Sequence, residues 1–97
     1  MNVFETDLFR VVKPWGCEVI VGTWDNWRVK ISVVKENCRT SKQYHLEKEE
    51  YWFYTDGRVK HIPPKEVHRL EGPIQILELV RGSDDDIVRL EDDYGRV

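Results

Sequence analysis

The sequence predicts an all-β domain, and three observations predict it. Gly, Pro and Asx-Gly pairs cut the chain into short pieces roughly every ten residues. One piece alternates strictly between apolar and polar side chains, and no stretch repeats apolar residues at helical spacing for three turns. Short strands with such frequent turns build a sandwich or barrel rather than a βαβ fold. A chain of 97 residues holds one hydrophobic core and is too short for two, so a single domain over 1–97 is expected.

Each element follows from its residues. Lys13-Pro14-Trp15-Gly16 reads as a turn, and the β-prone run Cys17 to Val21 after it is closed by Gly22 and by Asp25-Asn26. Trp27 to Lys35 places Val29, Ile31 and Val33 on one face and Arg28, Lys30 and Ser32 on the other, the period of a strand. Glu36 to Lys42 is a polar loop. The aromatic strand Tyr51-Trp52-Phe53-Tyr54 ends at Asp56-Gly57, a tight hairpin whose return strand is Arg58 to Ile62. Pro63-Pro64 stops that strand, and Ile74 to Arg81 supplies another before Gly82. From Asp84 the chain is acidic around Ile87-Val88, a short strand or an ordered tail, and about six or seven strands result.

Charge and composition exclude several classes of function. The net charge of −3, with acids gathered in Asp84 to Asp86 and Glu91 to Asp93, leaves no basic stripe for nucleic acid. Apolar runs such as Ile74 to Val80 fall far short of the roughly 20 residues that cross a bilayer. Met1 to Arg10 carries Glu5 and Asp7 and lacks the pattern of a secretory signal, so a cytoplasmic address is expected. Cys17 and Cys38 fit neither a CxxC pair nor a zinc-knuckle spacing and read as free thiols.

The chemistry concentrates in Gln43, His45, Glu50 and His68. Gln43 and His45 are two apart, so an extended backbone projects both to one face, and Glu50 reaches that face after a turn. Two imidazoles, a carboxylate and an amide oxygen suit a divalent ion of the Zn, Fe, Mn, Ni or Co type, zinc foremost, better than thiolate-selective metals. Most histidines in a charged domain are surface or satisfied core residues, so spacing alone leaves both readings open.

Longer motifs bear on that choice. Gln43-Tyr44-His45, four residues, Glu50, six residues and Gly57 resembles the first cupin motif as it stands in type II phosphomannose isomerases, where glutamine replaces the first histidine. Ile62-Pro63-Pro64-Lys65-Glu66-Val67-His68-Arg69-Leu70-Glu71 resembles the second cupin motif of that family. Lys13-Pro14-Trp15-Gly16 is similar to its opening Arg-Pro-Trp-Gly, and Asp85 through Arg96 is similar to its closing signature. The sequence departs from the pattern at Leu46 and Glu47, where the family has histidines, at Lys65 for a glycine and at Gly72 for an asparagine. Between Trp52 and Ile62 about fifteen residues, one hairpin, are absent.

The resemblance implies a truncated small cupin: a double-stranded β-helix, or jelly-roll barrel, holding the ion inside and open to a sugar phosphate. Family enzymes interconvert mannose 6-phosphate and fructose 6-phosphate, so a metal-dependent sugar-phosphate isomerase is the first expectation. A metal- or sugar-binding module without turnover is the second, and an Fe(II) oxygenase-type cupin the third. Lys30 stands where the family has a lysine, and Arg89 and Glu91 fall in the closing signature; these three are the expected catalytic or phosphate-binding residues, with ion pairs that tie the C-terminal segment to the barrel the equal alternative for Arg89 and Glu91. An inward Lys30 turns Val29, Ile31 and Val33 outward, and a missing hairpin exposes an edge, so a homodimer is expected. Trp52 is expected in the core, and Tyr44 is expected to point away from the ion.

Overall fold

The computed structural model describes residues 4–97. Met1 to Val3, part of the segment read for a secretory signal, lie outside the described residues. Among the described residues there are eight strands and no helix, so the all-β expectation holds.

The strands are β1 (Phe4–Lys13), β2 (Gly16–Trp24), β3 (Trp27–Val34), β4 (Lys42–Tyr44), β5 (Glu49–Tyr54), β6 (Val59–Ile62), β7 (Ile74–Arg81) and β8 (Val88–Glu91). Six form one antiparallel sheet in the order β1-β2-β3-β7-β5-β6, and β4 and β8 form a second, smaller one. Antiparallel bridges from Gln43 to His68 and from Arg39 to Glu71 extend the small sheet, so the two stretches that carry the proposed ligands pair directly.

Strand alternation decides what each face carries. On the inner face of the large sheet, β3 presents Lys30, Ser32 and Val34, β7 presents Ile76, Glu78 and Val80, and β5 presents Glu50 and Trp52, as the registers Lys30↔Glu78, Ser32↔Ile76 and Trp52↔Glu78 require. That face is divided. Toward one end Trp15, Val34, Trp52, Ile62, Leu70 and Ile76 form the hydrophobic core, with Leu70 contributed from the small sheet's side. Toward the other, the buried side chains are Lys30, Lys48, Glu50 and Glu78. The apolar end supplies the hydrophobic stabilisation, and the polar end gathers the buried ionisable groups.

Lys30 is buried, 8% exposed, as expected for an inward lysine. Its neighbours Val29, Ile31 and Val33 accordingly lie on the outer face opposite Leu79, Leu77 and Gln75. Asp56-Gly57 makes the β5–β6 turn, with Gly57 at a φ of 94° and its N–H donating to the Tyr54 carbonyl. Cys17 and Cys38 are both free thiols.

Two features differ from the sequence reading, and two of the motif departures show in the backbone. β1 was not expected: its apolar residues lie mostly exposed, and a register shift between Thr6 and Phe9 breaks the alternation that announces a strand. The polar loop is shorter than Glu36 to Lys42, because Lys42 already pairs with Glu91. Gly72 replaces the family's asparagine where a Cβ would lie 1.9 Å from the Lys35 carbonyl oxygen, so the backbone path here admits only glycine. Lys65, in place of a glycine, keeps a left-handed φ of 71°.

Ile76 is fully buried, whereas its neighbour Leu77 faces outward and is 38% exposed. Ile76→Ala should cost about 2–5 kcal/mol in urea denaturation, and Leu77→Ala about 1 kcal/mol or less. Equal losses would contradict the assignment of faces.

Candidate metal centre

Three elements bring the ligands together. Gln43 lies in β4 and His45 follows it, two residues on, on the same face. Glu50 points inward from β5. His68 is set by its backbone, which exchanges both hydrogen bonds with Gln43: His68 N–H to the Gln43 carbonyl at 2.8 Å and Gln43 N–H to the His68 carbonyl at 3.1 Å. The turn after Pro63-Pro64 is fastened to the same place, since the Lys65 N–H donates to the His45 carbonyl at 2.6 Å.

One ligand atom from each of His45, Glu50 and His68 lies within 4.8 Å of the others. All three residues are buried, His45 to 1% exposure. His45 Nε2 sits 2.9 Å from Glu50 Oε2, and His68 Nε2 sits 3.6 Å from the same oxygen.

The imidazoles are oriented from behind. His45 Nδ1 donates to the Asp86 carbonyl and His68 Nδ1 to the Glu66 carbonyl, the latter at 2.9 Å. With the proton on Nδ1, each ring turns an unprotonated Nε2 toward the shared centre. His45 Nε2 makes no hydrogen bond despite its closeness to Glu50, because with the ring proton on Nδ1 neither atom has a hydrogen to donate. An orphaned buried acceptor is costly, and a cation at that spot satisfies it. The residues present therefore fit a divalent ion.

Gln43 reaches the same centre, with its side-chain nitrogen 3.4 Å from His68 Nε2 and its oxygen accepting from the Ser41 hydroxyl at 2.7 Å. Ser41 can donate or accept, so a half-turn of the amide exchanges these roles and offers the oxygen as a fourth ligand.

The carboxylates behind the site carry opposite protonation. Burial works to raise the pKa of Glu50, but the close approach of His45, a hydrogen bond from Glu78 and the charge of Lys48 outweigh it and hold the group below the usual range. Burial and the neighbouring Glu50 charge push Glu78 up to about 8. Glu78, which accepts from the Ser32 hydroxyl, is thus the protonated member of the pair near neutral pH. Burial lowers the pKa of His68, which favours the neutral imidazole a metal requires.

A cavity of about 340 Å³ opens beside these groups, lined among others by Lys30, Gln43, Lys48, Glu50, His68 and Arg89. Lys30 and Arg89 both line this cavity, and the buried Nε of Arg89 has no partner there. Glu91 does not join them. Its side chain is 60% exposed and lies 3.7 Å from the charged nitrogens of Lys42 and Arg69, so the structure gives it a surface ion-pairing role. Tyr44 pairs with Val88 and Trp52 is buried in the core; the Trp52 ring N–H also donates to Glu50 Oε1 at 3.2 Å.

Sequence reasoning missed Asp86, Glu78 and Lys48. Asp86 is the most consequential: its carboxylate accepts the backbone N–H groups of Leu46, Glu47 and Lys48, each at 2.8 Å, while its carbonyl holds His45. Its place in the closing signature was the available signal, but the contact spans some 40 residues of sequence.

No family model matches the sequence. The chain is similar to a mannose-1-phosphate guanylyltransferase of Salmonella muenchen, 29% identical over 88% of this chain and 23% of that protein. It is also similar to the mannose-1-phosphate guanylyltransferase RfbM of Salmonella typhimurium, 27% identical over 88% of this chain and 22% of that protein. The chain thus spans less than a quarter of the length of these curated relatives. Among solved structures it is similar to the capsular polysaccharide assembling protein CapF from Staphylococcus aureus, at 12% identity and a TM-score of 0.49, over 90% of this chain and 33% of that one.

Asp86→Ala leaves all four ligands in place but removes the clamp on 46–48. Zinc affinity measured against a competing chelator should fall by about 10–100-fold. An unchanged affinity would show that the clamp does not orient His45.

Proposed function

We propose that the chain is a small metal-binding cupin acting on a sugar phosphate, with Gln43, His45, Glu50 and His68 holding a divalent ion, zinc first among Zn, Mn, Fe, Ni and Co. The observation that carries this reading is the unpartnered, buried Nε2 of His45, aimed with His68 Nε2 and a Glu50 oxygen at one point. The donor set is nitrogen and oxygen, as borderline divalent ions prefer. Support for the substrate class comes from the relatives, which are named for mannose 1-phosphate, and from the motif resemblance to isomerases of mannose 6-phosphate.

A bound ion supplies Lewis-acid polarisation of a carbonyl or hydroxyl oxygen. The chain's own residues supply the rest. Lys30 and Arg89 put positive charge on the cavity wall, where an anionic substrate is attracted and oriented. Trp52 holds Glu50 through the ring N–H, and the Nδ1 hydrogen bonds keep both imidazoles from turning.

Binding without turnover is the second reading, and the small size of the second sheet favours it, since two strands close less of the barrel than a full wall. Metal-loaded protein incubated with mannose 6-phosphate separates the two. Formation of fructose 6-phosphate, lost in His45→Ala and His68→Ala together with the bound metal, supports the isomerase; stoichiometric metal without conversion supports the binding module. A folded protein that takes up no metal would overturn both.

We propose β1 as the contact of the expected homodimer. This ten-residue strand pairs with β2 on one side, and it carries exposed Phe4, Leu8, Phe9 and Val12. Its acids, Glu5 and Asp7, precede its bases, Arg10 and Lys13, so antiparallel pairing with a second copy sets acids against bases. Light scattering at micromolar concentration should give twice the chain mass, and Leu8→Lys with Phe9→Lys should give the monomer. A monomeric parent chain would contradict this arrangement.

A further inference from the structure

Three cations converge on a single carboxylate at the cavity. Asp84 Oδ1 lies 3.0 Å from an Arg28 guanidinium nitrogen, 3.7 Å from Lys48 Nζ and 3.8 Å from Lys30 Nζ. Lys30 and Lys48 are nearly sealed from solvent, with side chains 10% and 8% exposed, whereas the Asp84 side chain is 62% exposed. The two lysines are fixed by the strand of the one and the buried position of the other. Asp84 hangs from the turn between β7 and β8 just past Gly82, whose φ of 116° and lack of a side chain mark the bend.

The other acids near these cations are already engaged. Glu18 serves Lys30 at 2.8 Å and Lys13 at 3.4 Å, and Glu50 belongs to the metal centre. Among the described residues Asp84 is the carboxylate within ion-pair distance of both Arg28 and Lys48. Cations facing one another out of water are stable only with an anion among them, and here that anion stands on a solvent-exposed turn. Lys30, Lys48 and Asp84 line the same cavity as His68 and Glu50.

We propose that Arg28, Lys30 and Lys48 form the seat for the phosphate of the ligand, and that the Asp84 carboxylate occupies this seat as a built-in competitor which the phosphate displaces. The inference deepens the sugar-phosphate reading, and it is read by binding to metal-free protein, independently of metal uptake or turnover. A phosphate monoester carries more charge and more acceptor oxygens than a carboxylate, so it can satisfy three donors at once. With the seat neutralised from within, the unliganded protein avoids the cost of two facing lysines in the cavity with Arg28 beside them, and the ligand must exceed Asp84 in order to enter.

Calorimetric titration of the full chain with inorganic phosphate, mannose 6-phosphate and mannose tests this. Asp84→Asn should bind both phosphates about tenfold tighter than the parent and mannose no tighter, and adding Lys48→Met should abolish the gain. Loss of affinity in Asp84→Asn, no change, a gain for mannose as well, or a gain that survives Lys48→Met would each overturn the proposal. In the unmodified chain, carbon NMR should show the Asp84 carboxyl and Lys48 Cε signals shift on phosphate addition; if both stay fixed while phosphate binds, the seat lies elsewhere. The NMR result holds even if the variants fail to fold.

Discussion

Two backbone carbonyls, those of Asp86 and Glu66, decide what the centre of this molecule can do. By accepting the Nδ1 protons of His45 and His68 they fix each imidazole in one orientation and turn both Nε2 lone pairs inward. Around that constraint the rest is arranged. Gln43 and His68 pair backbone to backbone, Trp52 steadies Glu50, and the Asp86 carboxylate gathers three successive N–H groups beside His45. Each ligand is thus held by a group that is itself held, which is how a site stays ordered within a small domain.

Placing so much charge inside a 97-residue chain is possible because the interior is divided along the strands. β7 carries Ile76 and Glu78 inward in succession, one in the core and one among the ionisable groups. Glu78 tolerates burial by keeping its proton near neutral pH, and Lys30 by meeting Glu18 and Asp84. The opposite charges in the cavity largely neutralise one another, which lowers the cost of removing them from water.

Local pattern made much of this legible. The alternation of Trp27 to Lys35 put Lys30 on the face opposite Val29, Ile31 and Val33, Asp56-Gly57 marked the hairpin, and the two-residue spacing of Gln43 and His45 put both on one face. What local pattern could not show were contacts made across the chain. Asp86 reaches residues 46–48 from some 40 positions away, and Glu78 joins Glu50 only because β5 and β7 are neighbours in the sheet. β1 escaped notice because the register shift between Thr6 and Phe9 breaks its alternation, and Glu91 was expected in the site because it falls in the same closing motif as Arg89. The strand period alone would put both on one face, but the bulge in the β4–β8 pairing between Lys42 and Gln43 breaks it, and Glu91 lies at the surface with Lys42 and Arg69.

The histidine tautomers test the central claim most directly. Long-range proton–nitrogen correlation spectra of the metal-free protein should show His45 and His68 both protonated on Nδ1, and added zinc should move both Nε2 resonances together. Protonation on Nε2 in either ring, or Nε2 signals indifferent to zinc, would contradict the account.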